Sequence, residues 1–111
     1  MSCRKIDDMA PVLGSVLKIN VTATLSGNLH LGDVNFECKF YSETVGTKSM
    51  TVTKAQMAYV DVNNYIAIVD TKEIGTGWYW CLLTVMIPDN DVESGYRKEI
   101  IRIPTNIPVR P

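Results

Sequence analysis

The sequence is poor in the side chains from which catalytic and metal sites are most often built. It has one histidine, His30, and three cysteines, Cys3, Cys38 and Cys81, which are far apart along the chain. One imidazole and three scattered thiols are too few for a zinc site and offer little for general-base chemistry. No acidic residue is obviously placed to orient His30 beside a nucleophile. The sequence therefore predicts a protein that is not an enzyme and that binds no cofactor.

The sequence also lacks an excess of charge and any long apolar run. Eleven Lys and Arg residues against twelve Asp and Glu residues give a net charge of -1, so bulk charge does not favour a nucleic-acid partner. The longest apolar segment, residues 78–88, has the length of a strand and is too short to span a membrane. Residues 1–15 lack the apolar core of a signal peptide, and an odd number of cysteines suits thiols in a reducing compartment. We therefore expect synthesis in the cytoplasm and a partner that is neither nucleic acid nor membrane.

Short segments in which apolar and polar residues alternate are what the chain does contain. With 111 residues, of which 46% are hydrophobic, it is long enough for one domain with a core. Segment 77–88 is apolar at both alternating sets of positions, which predicts a central strand that is either covered on both faces or flanked by large partners. Seven short strands without a long helix predict an all-β, antiparallel two-sheet sandwich, with a closed small barrel as the alternative. The period-two pattern places these strands at residues 16–25, 36–41, 49–53, 58–62, 65–69, 77–88 and 96–103.

The segments around these strands give the domain organisation. Residues 53–56, Thr-Lys-Ala-Gln, have the form of a capping box and predict one short helical turn, and residues 45–47 predict a chain reversal. The prolines in the last eight residues lack the amide hydrogen that a regular ladder needs. The sequence thus predicts an extended N-terminal arm at residues 1–15, a sandwich at residues 16–103 and an extended tail at residues 104–111. We expect neither arm to order itself on the isolated domain.

Two cysteines and a tyrosine resemble the pattern of immunoglobulin-like domains. Lettered A to G in order, the predicted strands place Cys38 on strand B and Cys81 on strand F, positions that face each other across the sheets of that family. Segment 70–81, DTKEIGTGWYWC, is similar to the family's E to F corner, where an acidic turn and a glycine precede Tyr-x-Cys. The resemblance implies an immunoglobulin-like topology in which Tyr79 is the corner tyrosine, its hydroxyl group bonding back to the preceding loop.

The chain departs from antibody domains in two ways. The B to F interval is shorter, and the predicted strand at residues 49–53 has no tryptophan, because Trp78 and Trp80 both lie on strand F. We therefore expect the topology without antibody-type descent. Tyr79 and Cys81 are alternatively two ordinary core residues of a β-rich strand. We expect Cys38 and Cys81 to face one core as thiols, within a core set of Phe36, Cys38, Phe40, Tyr79, Trp80, Cys81 and Leu82.

A second resemblance extends over residues 16–107 and depends on the order of short strings. In order these are Val-Thr-Lys, Val-Asp-Val-Asn-Asn-Tyr-Ile, Ile-Gly-Thr-Gly, Ile-Pro-Asp-Asn-Asp and Gly-Tyr-Arg-Lys-Glu. The succession resembles small β-sandwich structural proteins of tailed bacteriophages and prophages of gut Bacteroidales, including crAss-like phages. The resemblance implies a virion component of the head or tail, present in many copies and synthesised in the bacterial cytoplasm.

The leading hypothesis is a non-enzymatic auxiliary capsid protein that binds neighbouring coat subunits. A head-fibre, neck or tail adaptor is the close rival, since capsid and tail proteins of the same particle are both possible partners. A carbohydrate- or receptor-binding module that uses Trp78 and Trp80 is the alternative from a different class. On the leading hypothesis the partner is bound by extended arms. The expected partner-binding residues are Met9, Pro11, Val12, Leu13, Pro104 and Pro108.

One loop has the composition of a cation site. Asp89, Asp91 and Glu93 offer oxygen ligands within five residues. Their spacing relative to Gly95 and Glu99 differs from that of an EF-hand. A solvated hairpin loop is therefore the favoured interpretation, and the sequence predicts no metal site.

Overall fold

The regular structure of this protein is almost entirely β-strand. A computed structural model describes residues 1–7, 9–25, 27, 29–43 and 48–111, so the turn predicted at residues 45–47 lies outside the described residues. No α-helix occurs in the described part, which has three single-turn 3-10 helices at Leu31–Asp33, Lys54–Gln56 and Thr71–Glu73. The eight strands are β1 (Ser2–Lys5), β2 (Val16–Thr22), β3 (Asn35–Ser42), β4 (Ser49–Thr53), β5 (Ala58–Asp61), β6 (Asn64–Asp70), β7 (Gly77–Pro88) and β8 (Tyr96–Val109).

The strands form two four-stranded antiparallel sheets. The first sheet has the order β1-β2-β6-β5, and the second has the order β4-β3-β7-β8. Alternate residues of both sheets point into one shared core, as at Ile19 and Val21 of β2 and at Cys81 and Leu83 of β7. The predicted all-β two-sheet sandwich is confirmed, with eight strands instead of seven. No helix in the described residues is long and apolar enough to cross a membrane.

The N-terminal arm differs from the expectation. Residues 2–5 form β1, which pairs with β2 so that Cys3 lies opposite Val21, and the Cys3 side chain is fully buried. The prediction that this arm does not order itself is therefore wrong for its first residues. A four-residue strand carries too short an alternation to be recognised in the sequence, and its order depends on pairing with β2.

The C-terminal tail also belongs to the sandwich. Strand β8 continues to Val109, with Ile107 and Val109 buried, although it contains Pro104 and Pro108. The prediction of a separate tail is wrong because β8 is an edge strand, where a missing amide hydrogen is tolerated. Between the pairs Trp80↔Pro104 and Trp78↔Pro108 the register shifts, so that residues 105–107 lie opposite one residue of β7.

The two terminal segments contact each other. The amide of Leu13 donates to the carbonyl oxygen of Arg110 at 2.7 Å, and the amide of Arg110 donates to that of Pro11 at 3.2 Å. These bonds form a parallel bridge between Val12 and Arg110 at the end of β8. Residues 11–13 and Arg110, which the sequence assigns to two separate arms, therefore lie beside one another.

The predicted helical turn at residues 53–56 is confirmed. The amide of Thr53 donates to Oε1 of Gln56 at 2.9 Å, which is one half of a capping box, and a 3-10 turn follows at Lys54–Gln56. The turn connects β4 of the second sheet to β5 of the first. A short local signal thus correctly marks one crossing between the sheets.

Candidate functional site

The outer face of the second sheet carries several large apolar side chains. We call Trp78, Trp80, Leu82, Ile100 and Arg102 the β7–β8 face. Trp78 and Ile100 are each 59% exposed, and Trp80 and Leu82 are half-buried. The alternative in which β7 is covered on both faces is wrong, and so is the placement of Trp80 and Leu82 in the core. Both sets of positions are apolar, so the sequence did not distinguish the core set from the outer set.

The Arg102 side chain contacts several of its neighbours on this side of the sheet. Its guanidinium carbon lies 3.8 Å from the ring centroid of Trp80, within cation–π distance. Its Nε donates to the hydroxyl oxygen of Tyr41 at 2.9 Å, and its Nη2 pairs with Glu43. Tyr41 lies directly opposite Trp80 in the ladder between β3 and β7. The aromatic and cationic groups are therefore held as one surface.

This arrangement suits contact with another protein. Tryptophan and arginine are the side chains that most often dominate the binding energy of protein interfaces. Because the guanidinium group of Arg102 covers one face of the Trp80 ring, that face is not available for a stacked sugar or base. Only Trp78, at 59% exposure, presents an open tryptophan on the β7–β8 face.

The three cysteines, far apart in the sequence, meet in the core. Their sulfur atoms all lie within 4.8 Å of one another, and the Sγ atoms of Cys3 and Cys81 are 3.2 Å apart. All three side chains are fully buried and are free thiols. We call Cys3, Cys38 and Cys81 the thiol cluster. The expectation that Cys38 and Cys81 face one core is confirmed.

The strand assignment of these cysteines was wrong. Cys38 and Cys81 lie on β3 and β7, neighbouring strands of one sheet, and do not face each other across the sandwich. Cys3 is the residue that faces them from the first sheet. Strand β1, which carries Cys3, is not among the strands that the sequence predicts. Cys3 is the residue of this cluster that the sequence pattern did not indicate.

Contact between the thiols separates their acidities. Interaction with the thiols of Cys38 and Cys81 lowers the pKa of Cys3 to about 5. The same contact with Cys3, together with burial, raises the pKa of Cys38 and of Cys81 above the ordinary thiol value. Of the three thiols, Cys3 is the one whose thiolate form these contacts favour.

The cluster offers soft ligands but an incomplete zinc site. A structural zinc ion takes four protein ligands, and among the described residues no histidine or carboxylate joins the three sulfur atoms. Thiol–disulfide chemistry makes no such demand, because it needs only two sulfur atoms in contact. The close approach of Cys3 and Cys81 therefore suits oxidation better than zinc binding.

Tyr79 occupies the corner between β6 and β7. Its hydroxyl group donates to the carbonyl oxygen of Gly75 and lies 3.5 Å from that of Thr71. The predicted bond from the Tyr79 hydroxyl group back to the preceding loop is thus confirmed. Burial, and secondly the negative charge of Asp70, raises the pKa of Tyr79 to about 12. The core residues Phe36, Cys38, Phe40, Tyr79 and Cys81 are buried as predicted.

The remaining candidate residues lie apart from both sites. His30 is exposed, and its Nδ1 is 3.2 Å from Oδ1 of Asn63. In the β7–β8 hairpin loop, Asp89 accepts a hydrogen bond from the amide of Asp91 and lies 3.7 Å from Arg97. Asp91 and Glu93 are exposed. These contacts are those of a solvated loop.

The residues that the sequence predicts to bind a partner differ in their exposure to solvent. Met9, Val12, Leu13 and Pro104 are exposed, Pro108 is half-buried and Pro11 is buried. Arg102 was missed as a functional residue, although it lies on the same alternating set as Ile100, which was a usable signal.

Comparisons with protein-family models, with curated proteins and with solved structures find no match to this chain.

Proposed function

We propose that this chain is a non-enzymatic structural protein of a tailed-phage particle, most specifically an auxiliary capsid protein that binds neighbouring coat subunits. The whole-chain resemblance to phage β-sandwich proteins is the reason to propose a place in the phage particle. The β7–β8 face is the reason to propose that the protein binds another subunit there. The exposure of Trp78 and Ile100 beside Arg102 is the observation that carries the binding role. A head-fibre, neck or tail adaptor would use the same face.

The strand order supports an immunoglobulin-like topology as part of this proposal. If β1 is strand A, then β2, β3, β5, β6, β7 and β8 become strands B, C, D, E, F and G. The first sheet then has the order A-B-E-D. The second sheet has the order C-F-G, with β4 added beside strand C. The hydroxyl contact of Tyr79 with Gly75 at the corner before β7 is consistent with the same topology. Such sandwiches present sheet faces and loops to partners while their cores stay intact.

Co-sedimentation with particles tests the proposal. The purified protein is mixed with heads or tails of crAss-like phages of Bacteroidales, pelleted and quantified. We expect many copies per particle, and we expect Ile100→Ser to weaken association about tenfold, as loss of an interface anchor does. Lys18→Ser, an exposed change on the outer face of the first sheet, is the matched control. Absence from both heads and tails would refute the proposal.

A carbohydrate- or receptor-binding module is the second candidate, and the exposure of Trp78 is the observation that favours it. Tryptophan fluorescence during titration with soluble bacterial glycans distinguishes the two functions. Quenching that is lost in Trp78→Ala, without association with particles, would favour glycan binding over the capsid role. No quenching by any glycan would remove this candidate.

A further inference from the structure

The sandwich contains a pair of sulfur atoms that nothing in its proposed binding role requires. We propose that Cys3 and Cys81 form a reversible disulfide that joins the two sheets when the protein meets a low-molecular-weight disulfide such as oxidised glutathione. The site is a property of the core and is independent of any capsid partner.

The position of the two sulfur atoms carries this inference. The Sγ atoms of Cys3 and Cys81 are 3.2 Å apart, and a disulfide needs an S–S distance of about 2.05 Å. Closure therefore requires a shift of roughly one ångström, shared by two side chains. Cys3 lies on β1, an edge strand of four residues that can adjust more readily than the centre of a sheet.

Cys38 is poorly placed to pair with Cys81. Cys38 lies opposite Leu83 and Cys81 lies opposite Phe40, so the two cysteines are diagonal neighbours in one sheet. Diagonal positions separate the Cβ atoms by up to about 7 Å, whereas a disulfide needs about 3.8 Å. Joining Cys38 to Cys81 would thus distort the central ladder of the second sheet.

The reaction balances as two successive exchanges. The Cys3 thiolate attacks the small disulfide, forms a mixed disulfide and releases one small thiolate. The Cys81 sulfur, after losing its proton, attacks the Cys3 sulfur, forms the inter-sheet bond and releases the second small thiolate. The two protein thiols are oxidised, the small disulfide is reduced to two thiols, and both protein protons pass to those products. Local opening of β1 admits the reagent to the buried sulfur.

Mass spectrometry of the folded protein tests the pairing. The fully reduced protein is treated with oxidised glutathione, trapped in acid and digested without reduction. We expect the loss of two hydrogen atoms and a cross-linked peptide pair containing Cys3 and Cys81. The Cys38→Ser variant should form the same link, and the Cys3→Ser variant should form none. The oxidised form should melt at a higher temperature, and dithiothreitol should reverse the increase.

Four results would overturn the proposal. One is a dominant link that involves Cys38, and another is glutathione adducts without any internal link. The third is a mixture of links identical to that formed by the urea-unfolded chain, which would mean that folding does not select the pair. An approximately stoichiometric metal ion that blocks oxidation until a chelator removes it would equally refute the disulfide site.

Discussion

The hydroxyl group of Tyr79 donates a hydrogen bond to the carbonyl oxygen of Gly75, four residues earlier in the chain. Gly75 has a φ of 104°, in the left-handed region that favours glycine. The tyrosine therefore fixes a chain reversal that depends on the glycine, at the point where the chain passes from the first sheet to the second. The Tyr79 side chain therefore stabilises the corner through its hydroxyl group and the core through its buried ring.

Replacing Tyr79 with Phe should lower the free energy of unfolding by about 1–2 kcal/mol, because the partly buried carbonyl group of Gly75 loses its partner. Chemical denaturation of the two proteins measures the difference. Tyr41→Phe, a change on the outer face, is a suitable control. Equal midpoints for the Tyr79→Phe variant and the parent protein would mean that the corner bond contributes nothing.

Stability at high pH should also depend on Tyr79. Its pKa is raised to about 12 in the folded protein, whereas an unfolded tyrosine titrates near about 10. Between these values the unfolded chain has lost the proton that the folded chain retains, so the free energy of unfolding falls as pH rises from about 10 to about 12. The difference between the parent and Tyr79→Phe over this range isolates the effect. Parallel pH profiles would contradict it.

Adjacent leucines of β7 should respond very differently to truncation. Leu83→Ala removes a fully buried side chain and should cost about 2–5 kcal/mol. Leu82→Ala removes a half-buried side chain from the outer face and should cost about 1 kcal/mol. Urea denaturation of both variants gives the comparison. A larger cost at Leu82 would place the core on the other face of the strand.

Removing residues 2–5 should destabilise the domain by about 2–4 kcal/mol, because the buried Cys3 side chain and the ladder with β2 are both lost. Thermal melting of the shortened chain tests this. Arg4→Ala, an exposed change on the same strand, should leave the melting temperature almost unchanged. An unchanged melting temperature after the deletion would restore the view of residues 2–5 as a free arm.

Asn106 has a φ of 58°, a conformation that asparagine and glycine tolerate better than other residues. Asn106→Ala should cost about 1 kcal/mol, whereas Asn106→Gly should be nearly neutral. Both changes remove the same amide group, so the difference between their denaturation midpoints reports on the backbone alone. Equal costs would indicate that the amide contributes through its contacts.

The local patterns of the sequence predict most of the secondary structure. Strands β4 and β7 have the predicted boundaries, and the turn after Thr53 was recognisable from four residues. These features depend on neighbours in sequence. The alternation of β2 likewise identified its buried side, since Leu17, Ile19 and Val21 are separated by polar residues.

Features that depend on distant pairing were not predictable. Strand β1 exists because Cys3 lies opposite Val21, and nothing within residues 2–5 encodes that register. The thiol cluster combines residues from three strands and both sheets. On β7, Trp80 and Cys81 are both suitable for a core, and the pairing of β7 with β3 and β8 decides which of them points inward.

The prolines of β8 have a consequence for a protein kept at high local concentration. An exposed edge strand is normally a template on which a second chain can add a strand, and repeated addition produces fibres. Pro104 and Pro108 interrupt the row of amide donors along β8, and the kink at Asn106 lies between them. In the capsid role that we propose, many copies crowded on a surface would therefore touch through side chains without polymerising along this edge.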